Sequence, residues 1–143
     1  MGQDEKNKIT NIVKYFDPYN STVTFIDPID TYRQVLEGGI NEFSCFTPYA
    51  AFRLLADLVL PKDVEDVLYL DCDTVIQGPI ENMYKWCQMS EYYCLASYAE
   101  DACEGDGEMV SGVMFFKLNE IRKNNFLNLA RQNYKRYEYR YPD

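Results

Sequence analysis

Histidine is absent from the sequence of 143 residues. No two cysteines form a CxxC pair either, so the chain lacks the residues from which most zinc sites are built. Its cysteines are odd in number and cannot all pair with one another, which makes reduced thiols the simplest expectation. The five are Cys45, Cys72, Cys87, Cys94 and Cys103.

Long apolar runs are also missing, since no stretch approaches the roughly 20 residues that cross a bilayer. The chain begins with the charged stretch MGQDEKNKIT rather than with an apolar signal segment. Hydrophobic residues nevertheless make up 47% of the sequence, which is too rich for a disordered chain. We therefore expect a soluble cytoplasmic protein, and the length predicts a single domain over residues 1–143.

Positive charge is scarce, with 14 Lys and Arg against 23 Asp and Glu and a net charge of −9. This balance argues against binding to nucleic acid, and against anionic membranes unless the basic residues are concentrated. They are concentrated only near the end of the chain, interleaved with tyrosines. That stretch predicts peripheral contact with a lipid surface or, as we prefer, an amphipathic helix with a solvated basic face. Its residues are Arg131, Lys135, Arg136 and Arg140 with Tyr134, Tyr137, Tyr139 and Tyr141.

Hydrophobic periodicity divides the chain into alternating helices and strands. Helices are predicted over residues 9–16, 48–59, 80–87 and 126–136, and strands over 22–26, 67–70, 93–97 and 112–118. The apolar run at 67–70 does not alternate, which is typical of a strand covered on both faces in a parallel sheet. This order predicts an α/β domain with ligands at the carboxyl ends of its strands.

Two carboxylates, Asp71 and Asp73, follow the strand predicted at 67–70. In an extended segment residues i and i+2 point the same way, so both carboxylates can face one ligand. Mg²⁺ and Mn²⁺ accept one or two carboxylates and fill their other positions with water and substrate phosphates. The pair therefore predicts a metal–diphosphate site. A solvated turn, in which one aspartate caps the next segment, also fits because a bare D-x-D is common.

The string LYLDCDT also fits the first motif of haloacid-dehalogenase-type phosphatases, with Asp71 as nucleophile and Asp73 as general acid. Such an enzyme also needs a downstream lysine and then a later acidic pair. Lys117 and the acids of residues 100–108 occur here in the reverse order. The phosphatase is therefore the less favoured alternative.

Two longer stretches carry a family resemblance. Residues 45–84 read CFTPYAAFRLLADLVLPKDVEDVLYLDCDTVIQGPIENMY, and residues 111–123 read SGVMFFKLNEIRK. In order and spacing they resemble glycosyltransferase family 8, the glycogenin-like retaining galactosyl- and glucosyltransferases. The matching features are an arginine on a helix, a helix-ending Leu-Pro, the phrase V-L-Y-L-D-x-D-T and a short turn with Gly78.

The resemblance implies a Rossmann-like (GT-A type) domain with a mostly parallel sheet flanked by helices. It further implies that a UDP-sugar and Mn²⁺ (or Mg²⁺) bind there. The hexose would pass, with retention of configuration, to a glycan or a lipid-linked acceptor, as in polysaccharide biosynthesis. Without naming a catalytic group, the resemblance assigns Asp71 and Asp73 to the metal, and Arg53, Asp71, Cys72, Asp73, Ser111 and Gly112 to the donor.

Two of these residues also have a structural interpretation. Arg53 could form an ion pair with Asp57 one helical turn away, worth only a few tenths of a kcal/mol. Gly112 could simply permit tight strand packing.

The chain departs from the family pattern at several points. Val110 stands where the family carries an asparagine, and the family's metal-binding histidine has no counterpart. In the family, further strands precede the part that this chain matches, and a glutamine follows a Tyr-x-Asp. This sequence contains neither those strands nor that glutamine. We therefore expect the central portion of a longer transferase, with a catalytically incomplete transferase-like module as the alternative.

Overall fold

The computed structural model of the chain describes residues 2–17, 19, 21–43, 48–99 and 108–138. Within these ranges, the side chains of residues 42, 43, 48, 98, 99 and 108–110 are not described. The α-helices are α1 (Gln3–Phe16), α2 (Ile29–Val35), α3 (Ala56–Val59), α4 (Glu81–Met89), α5 (Leu118–Lys123) and α6 (Phe126–Arg136). Two 3-10 helices cover Ile40–Phe43 and Pro48–Leu55. The strands are β1 (Asp66–Leu70), β2 (Cys94–Ala99) and β3 (Glu108–Lys117).

The three strands form a sheet in the order β1-β3-β2, and β3 is antiparallel to both neighbours. Leu70 lies opposite Val113 at one end of the β1–β3 ladder, and Asp66 lies opposite Lys117 at the other. The expected mostly parallel, Rossmann-like sheet is therefore wrong. A continuous apolar run indicates that both faces of a strand are covered and carries no information on its direction. Only residues 100–107 connect β2 to β3, whereas a parallel crossover needs about a dozen or more.

The strands predicted at 67–70, 93–97 and 112–118 are confirmed in position to within a few residues. The strand predicted at 22–26 is wrong, because those residues have no regular secondary structure. β-branched and aromatic residues fit a pleated surface, but they form a strand only where a neighbouring strand supplies the ladder. That partner is a tertiary feature that a local pattern does not contain.

The central strand β3 is covered on both faces. Phe116 lies on one face in a core with Leu118, Ile121 and Leu127 of α5 and α6. Phe115 lies on the other face, where its ring meets the ring of Tyr84 from α4 edge to face, with centroids 5.2 Å apart. Adjacent strand residues point to opposite faces, so one pair of phenylalanines anchors both layers of helix to the sheet.

A second core lies beside the sheet and joins α2, the 3-10 helix Pro48–Leu55 and α6. Its buried residues are Tyr32, Leu36, Ala51, Leu55 and Tyr134. By contrast, α1 has no buried residue. The amphipathic stripe predicted for residues 9–16 thus forms a helix whose Ile12 and Phe16 stay mostly exposed.

A buried ion pair links α3 to α6. The guanidinium of Arg131 donates to both carboxylate oxygens of Asp57, at 2.6 and 3.1 Å, and the side chains are 6% and 9% exposed. Arg131 also donates to the carbonyl of Leu54 at 2.6 Å. Asp57, which the sequence offered as a partner for Arg53, is thus held by Arg131 instead.

The basic and aromatic end of the chain is only partly exposed. The helix predicted over 126–136 is confirmed as α6, but Arg131 and Tyr134 are buried in it. Arg136 and Tyr137 are exposed, and Arg140, Tyr139 and Tyr141 lie outside the described residues. Among the described residues, no helix combines the length and the apolar character needed to cross a membrane.

We predict that Asp57→Asn lowers the free energy of unfolding by about 3 kcal/mol or more, because it leaves a buried guanidinium without its counter-charge. Urea denaturation followed by circular dichroism measures this change. The matched control is Asp30→Asn, which breaks the exposed Arg33–Asp30 pair and should cost less than about 0.5 kcal/mol. The double variant Asp57→Leu/Arg131→Met should be more stable than Asp57→Asn, and equal or lower stability would contradict this account.

Candidate functional site

Four of the predicted donor-binding residues meet at the carboxyl end of β1. The ladder that pairs Leu70 with Val113 continues by one hydrogen bond, from the amide of Asp71 to the carbonyl of Gly112 at 2.8 Å. Arg53 reaches the same place from the 3-10 helix Pro48–Leu55 and donates to the carbonyl of Ser111 at 2.9 Å. Three segments that are distant in sequence therefore converge on one carboxylate.

The carboxylate of Asp71 is held on one oxygen. The hydroxyl of Tyr69 donates a short hydrogen bond to its Oδ1, and Nη2 of Arg53 lies 3.8 Å from that oxygen. The other oxygen, Oδ2, faces Gly112, where a Cβ atom would lie only 3.2 Å away. The Asp71 side chain keeps 34% of its surface exposed. It is therefore anchored through Oδ1, while Oδ2 lies beside Gly112 and part of the side chain stays exposed.

Arg53 is buried, with its side chain only 8% exposed. Its Nε donates to the carbonyl of Ala50 at 2.9 Å, and its guanidinium carbon lies 5.1 Å from the centre of the Tyr69 ring. A buried charge is tolerated only when it is paired and hydrogen-bonded, and these contacts meet that need together with Asp71. Arg53 therefore brings positive charge to the site from beneath Asp71.

Tyr69 was not predicted from the sequence as a site residue. Burial and the hydrogen bond to Asp71 raise the pKa of its hydroxyl to about 12, although the charge of Arg53 opposes this shift. The hydroxyl thus stays protonated, and able to donate, throughout the physiological range. One signal could have found it, because Tyr69 stands two residues before Asp71, and this spacing puts both on one side of an extended strand.

The remaining two predicted residues, Cys72 and Asp73, lie in an exposed turn. The amide of Thr74 donates to the carbonyl of Asp71 at 3.0 Å and closes that turn. The ladder continues to Asp71 and the turn begins at Cys72, so the alternation that predicted a shared direction for Asp71 and Asp73 does not reach Asp73. The two carboxylates accordingly differ, with Asp71 anchored and Asp73 in solvent.

The donor set suits a hard divalent cation. Asp71 and Asp73 offer carboxylate oxygens, and Mg²⁺ or Mn²⁺ binds through one or two of these while it keeps several waters or phosphate oxygens. Within the part of the chain that is described, no group of three or more His, Cys, Asp or Glu side chains is placed to hold a metal. An ion held by Asp71 or Asp73 would therefore need further ligands from water or from phosphate oxygens.

Two cavities lie away from the acidic pair. One of about 620 Å³ is lined by Lys6, Phe25, Asp27, Tyr49 and Phe52, among others. Another of about 220 Å³ lies between α4 and the sheet and includes Met83, Trp86, Leu95 and Val113 in its lining. Asp71 is not among the lining residues of either of these two cavities.

No protein-family model, curated protein or solved structure matches this chain. The family resemblance therefore rests on residues 45–84 and 111–123 and stays a prediction. The convergence of Arg53, Ser111 and Gly112 on Asp71 is an independent observation, since it depends on the folded geometry.

We predict that Gly112→Ala weakens Mn²⁺ binding at the acidic pair by about tenfold, because the new methyl group crowds Oδ2 of Asp71. Titration of Mn²⁺ followed by electron paramagnetic resonance measures the free ion. Gly78→Ala is the matched control, since a Cβ there meets no atom within 4 Å. Equal Mn²⁺ affinity in both variants would contradict this description of the site.

We also predict that iodoacetamide at pH 8 alkylates Cys72 much faster than Cys94. Cys72 is exposed, whereas burial raises the pKa of the Cys94 thiol to about 11, which leaves about a thousandth of it as thiolate at that pH. Peptide mapping by mass spectrometry gives the rate at each cysteine. Similar rates at the two thiols would show that the turn after β1 is not as exposed as described.

Proposed function

We propose that this chain belongs to a metal-dependent hexosyltransferase, which transfers a hexose from a UDP-sugar to a glycan or lipid-linked acceptor with retention of configuration. The observation that carries the proposal is the meeting of Arg53, Ser111 and Gly112 around Asp71. These residues were selected by resemblance from two separate stretches of sequence. Their contact in the folded chain supports one shared site.

In the proposed reaction Asp71 and Asp73 would hold Mn²⁺ or Mg²⁺ at the diphosphate of the donor. The bound ion would neutralise the charge that develops on the departing UDP. Asp73 and Cys72, which are exposed, present the turn to solvent and thus to the incoming donor. Arg53 lies 3.8 Å from Oδ1 of Asp71 and anchors that carboxylate, while its positive charge offsets part of the attraction between Asp71 and a cation.

The small residues on β3 complete this arrangement. Gly112 has no side chain to fill the space beside Oδ2 of Asp71, and Ser111 is buried against Arg53. A ligand can therefore approach the carboxylate from the glycine side. This is where we propose that the donor lies.

Two observations favour the transferase over the phosphatase alternative. Lys117, the lysine available to a phosphatase, stands at the far end of β3 from Gly112, opposite Asp66. Its ammonium group donates to the carbonyls of Gln88 and Ser90. Asp71 is bound to a tyrosine hydroxyl and an arginine rather than to a lysine, which suits a ligand-holding carboxylate better than a nucleophile.

The catalytically incomplete module is the second candidate, and the missing histidine and Val110 favour it. Such a module would bind the metal and the nucleotide without turning over the donor. We propose a cytoplasmic location for either function. The described cysteines Cys72, Cys87 and Cys94 are free thiols, as that compartment favours.

Calorimetric titration with UDP tests the proposed function. We expect UDP to bind in the presence of Mn²⁺ and at least about tenfold more weakly without it, because an ion held by Asp71 and Asp73 would supply positive charge for the diphosphate. Asp73→Asn should reproduce the loss, whereas Asp63→Asn, which removes a charge from an exposed loop before β1, should not. If UDP does not bind, or binds equally well without Mn²⁺, the proposal is wrong.

A second measurement separates the two candidates. Release of UDP from UDP-glucose or UDP-galactose by the chain, lost in Asp73→Asn, would identify an enzyme. Mn²⁺-dependent UDP binding without such release would identify the incomplete module.

A further inference from the structure

We infer that Tyr69 is a positioning residue that holds Asp71 as a one-oxygen metal ligand and thereby sets which divalent ion the site prefers. This inference rests on the proposed function, because it concerns the same acidic pair. It adds a residue and a property, the choice between ions, that the sequence resemblance did not supply.

Two side chains lie close to Oδ1 of Asp71. The Tyr69 hydroxyl donates to this oxygen, and Nη2 of Arg53 lies 3.8 Å from it. The guanidinium of Arg53 also lies over the Tyr69 ring at 5.1 Å from its centre. Each of the three side chains contacts the other two, so the orientation of the carboxylate is fixed by two independent neighbours.

The two oxygens of Asp71 have different neighbours. Oδ1 accepts the hydrogen bond of Tyr69 and lies 3.8 Å from Arg53, whereas Oδ2 lies beside Gly112. An ion bound through both oxygens would lie nearer the positive charge of Arg53, so the partly exposed Asp71 favours binding through Oδ2 alone. A hydroxyl that donates to a ligating carboxylate is an outer-shell interaction of the kind that orients metal ligands.

Divalent ions differ in how they bind carboxylates. Mg²⁺ demands near-ideal octahedral geometry, whereas Ca²⁺ accepts six to eight oxygens and takes carboxylates with both oxygens at once. A carboxylate locked through Oδ1 therefore suits a small octahedral ion and disfavours the two-oxygen mode of Ca²⁺. Without the hydroxyl of Tyr69, Asp71 could rotate and bind through both oxygens.

The experiment compares Tyr69→Phe with the unaltered chain in titrations with Mn²⁺ alone and with Ca²⁺ alone. We expect Mn²⁺ affinity to fall about 10- to 100-fold while Ca²⁺ affinity falls less or rises, so that the ratio of the two affinities changes. Tyr93→Phe is the matched control. It removes the same oxygen from a half-buried tyrosine at the opposite end of the sheet, next to Cys94, which pairs with Phe116. A general loss of structure would lower both affinities together and would also lower the melting temperature.

The outcomes separate the two proposals. If the unaltered chain binds no Mn²⁺, the proposed metal-dependent function fails. If it binds Mn²⁺ and Tyr69→Phe shows the same affinity ratio, the role of Tyr69 alone is overturned.

A second measurement applies if Tyr69→Phe does not fold. Fluorotyrosine incorporated into the unaltered chain should show a ¹⁹F shift at Tyr69 but not at Tyr93 as Mg²⁺ saturates the site. Saturation without a shift at Tyr69 would overturn the inference.

Discussion

Burying the guanidinium of Arg53 is the constraint on which the candidate site depends. A charge inside the protein is stable only with partners, and those of Arg53 come from its own helix, from β3 and from the residue after β1. The carbonyls of Ala50 and Ser111 and the carboxylate of Asp71 must therefore occupy fixed positions. The need to satisfy one buried charge thus assembles the surface that we propose as a ligand site.

Strand β3 connects this surface to the core. Phe115 and Phe116 are both buried, one on each face of the sheet, and they fix the strand between the helical layers. Four residues earlier the same strand presents Ser111 and Gly112 to Asp71 and Arg53. The pairing of β3 with β2 shifts register between Met114 and Val110, but its pairing with β1 continues from Phe116 through Val113 to the carbonyl of Gly112. Through this ladder with β1, the packing of the apolar half of β3 sets the position of its polar half.

The sequence predicted the positions of three strands and most members of the candidate site, and it failed where the answer depended on tertiary contacts. Apolar runs located β1, β2 and β3 but carried no signal for their antiparallel direction. Basic residues interleaved with tyrosines indicated a solvated helix face, yet Arg131 is buried because Asp57 pairs with it from another segment. Tyr69 was not predicted because its role depends on the hydrogen bond that its hydroxyl donates to Asp71, and the residue type alone does not indicate this bond.

Arg122 shows how a loop can be fixed without constraining its sequence. Its guanidinium donates to main-chain carbonyls of the segment that leads from α3 into β1, among them Leu60 at 3.2 Å, Pro61 at 3.0 Å and Val64 at 2.9 Å. Every such acceptor is present whatever side chain the residue carries. The path of the backbone into β1 is thus fixed by a side chain of α5 rather than by the side chains of the loop. We therefore expect substitutions at the exposed loop positions to leave the approach to Asp71 unchanged.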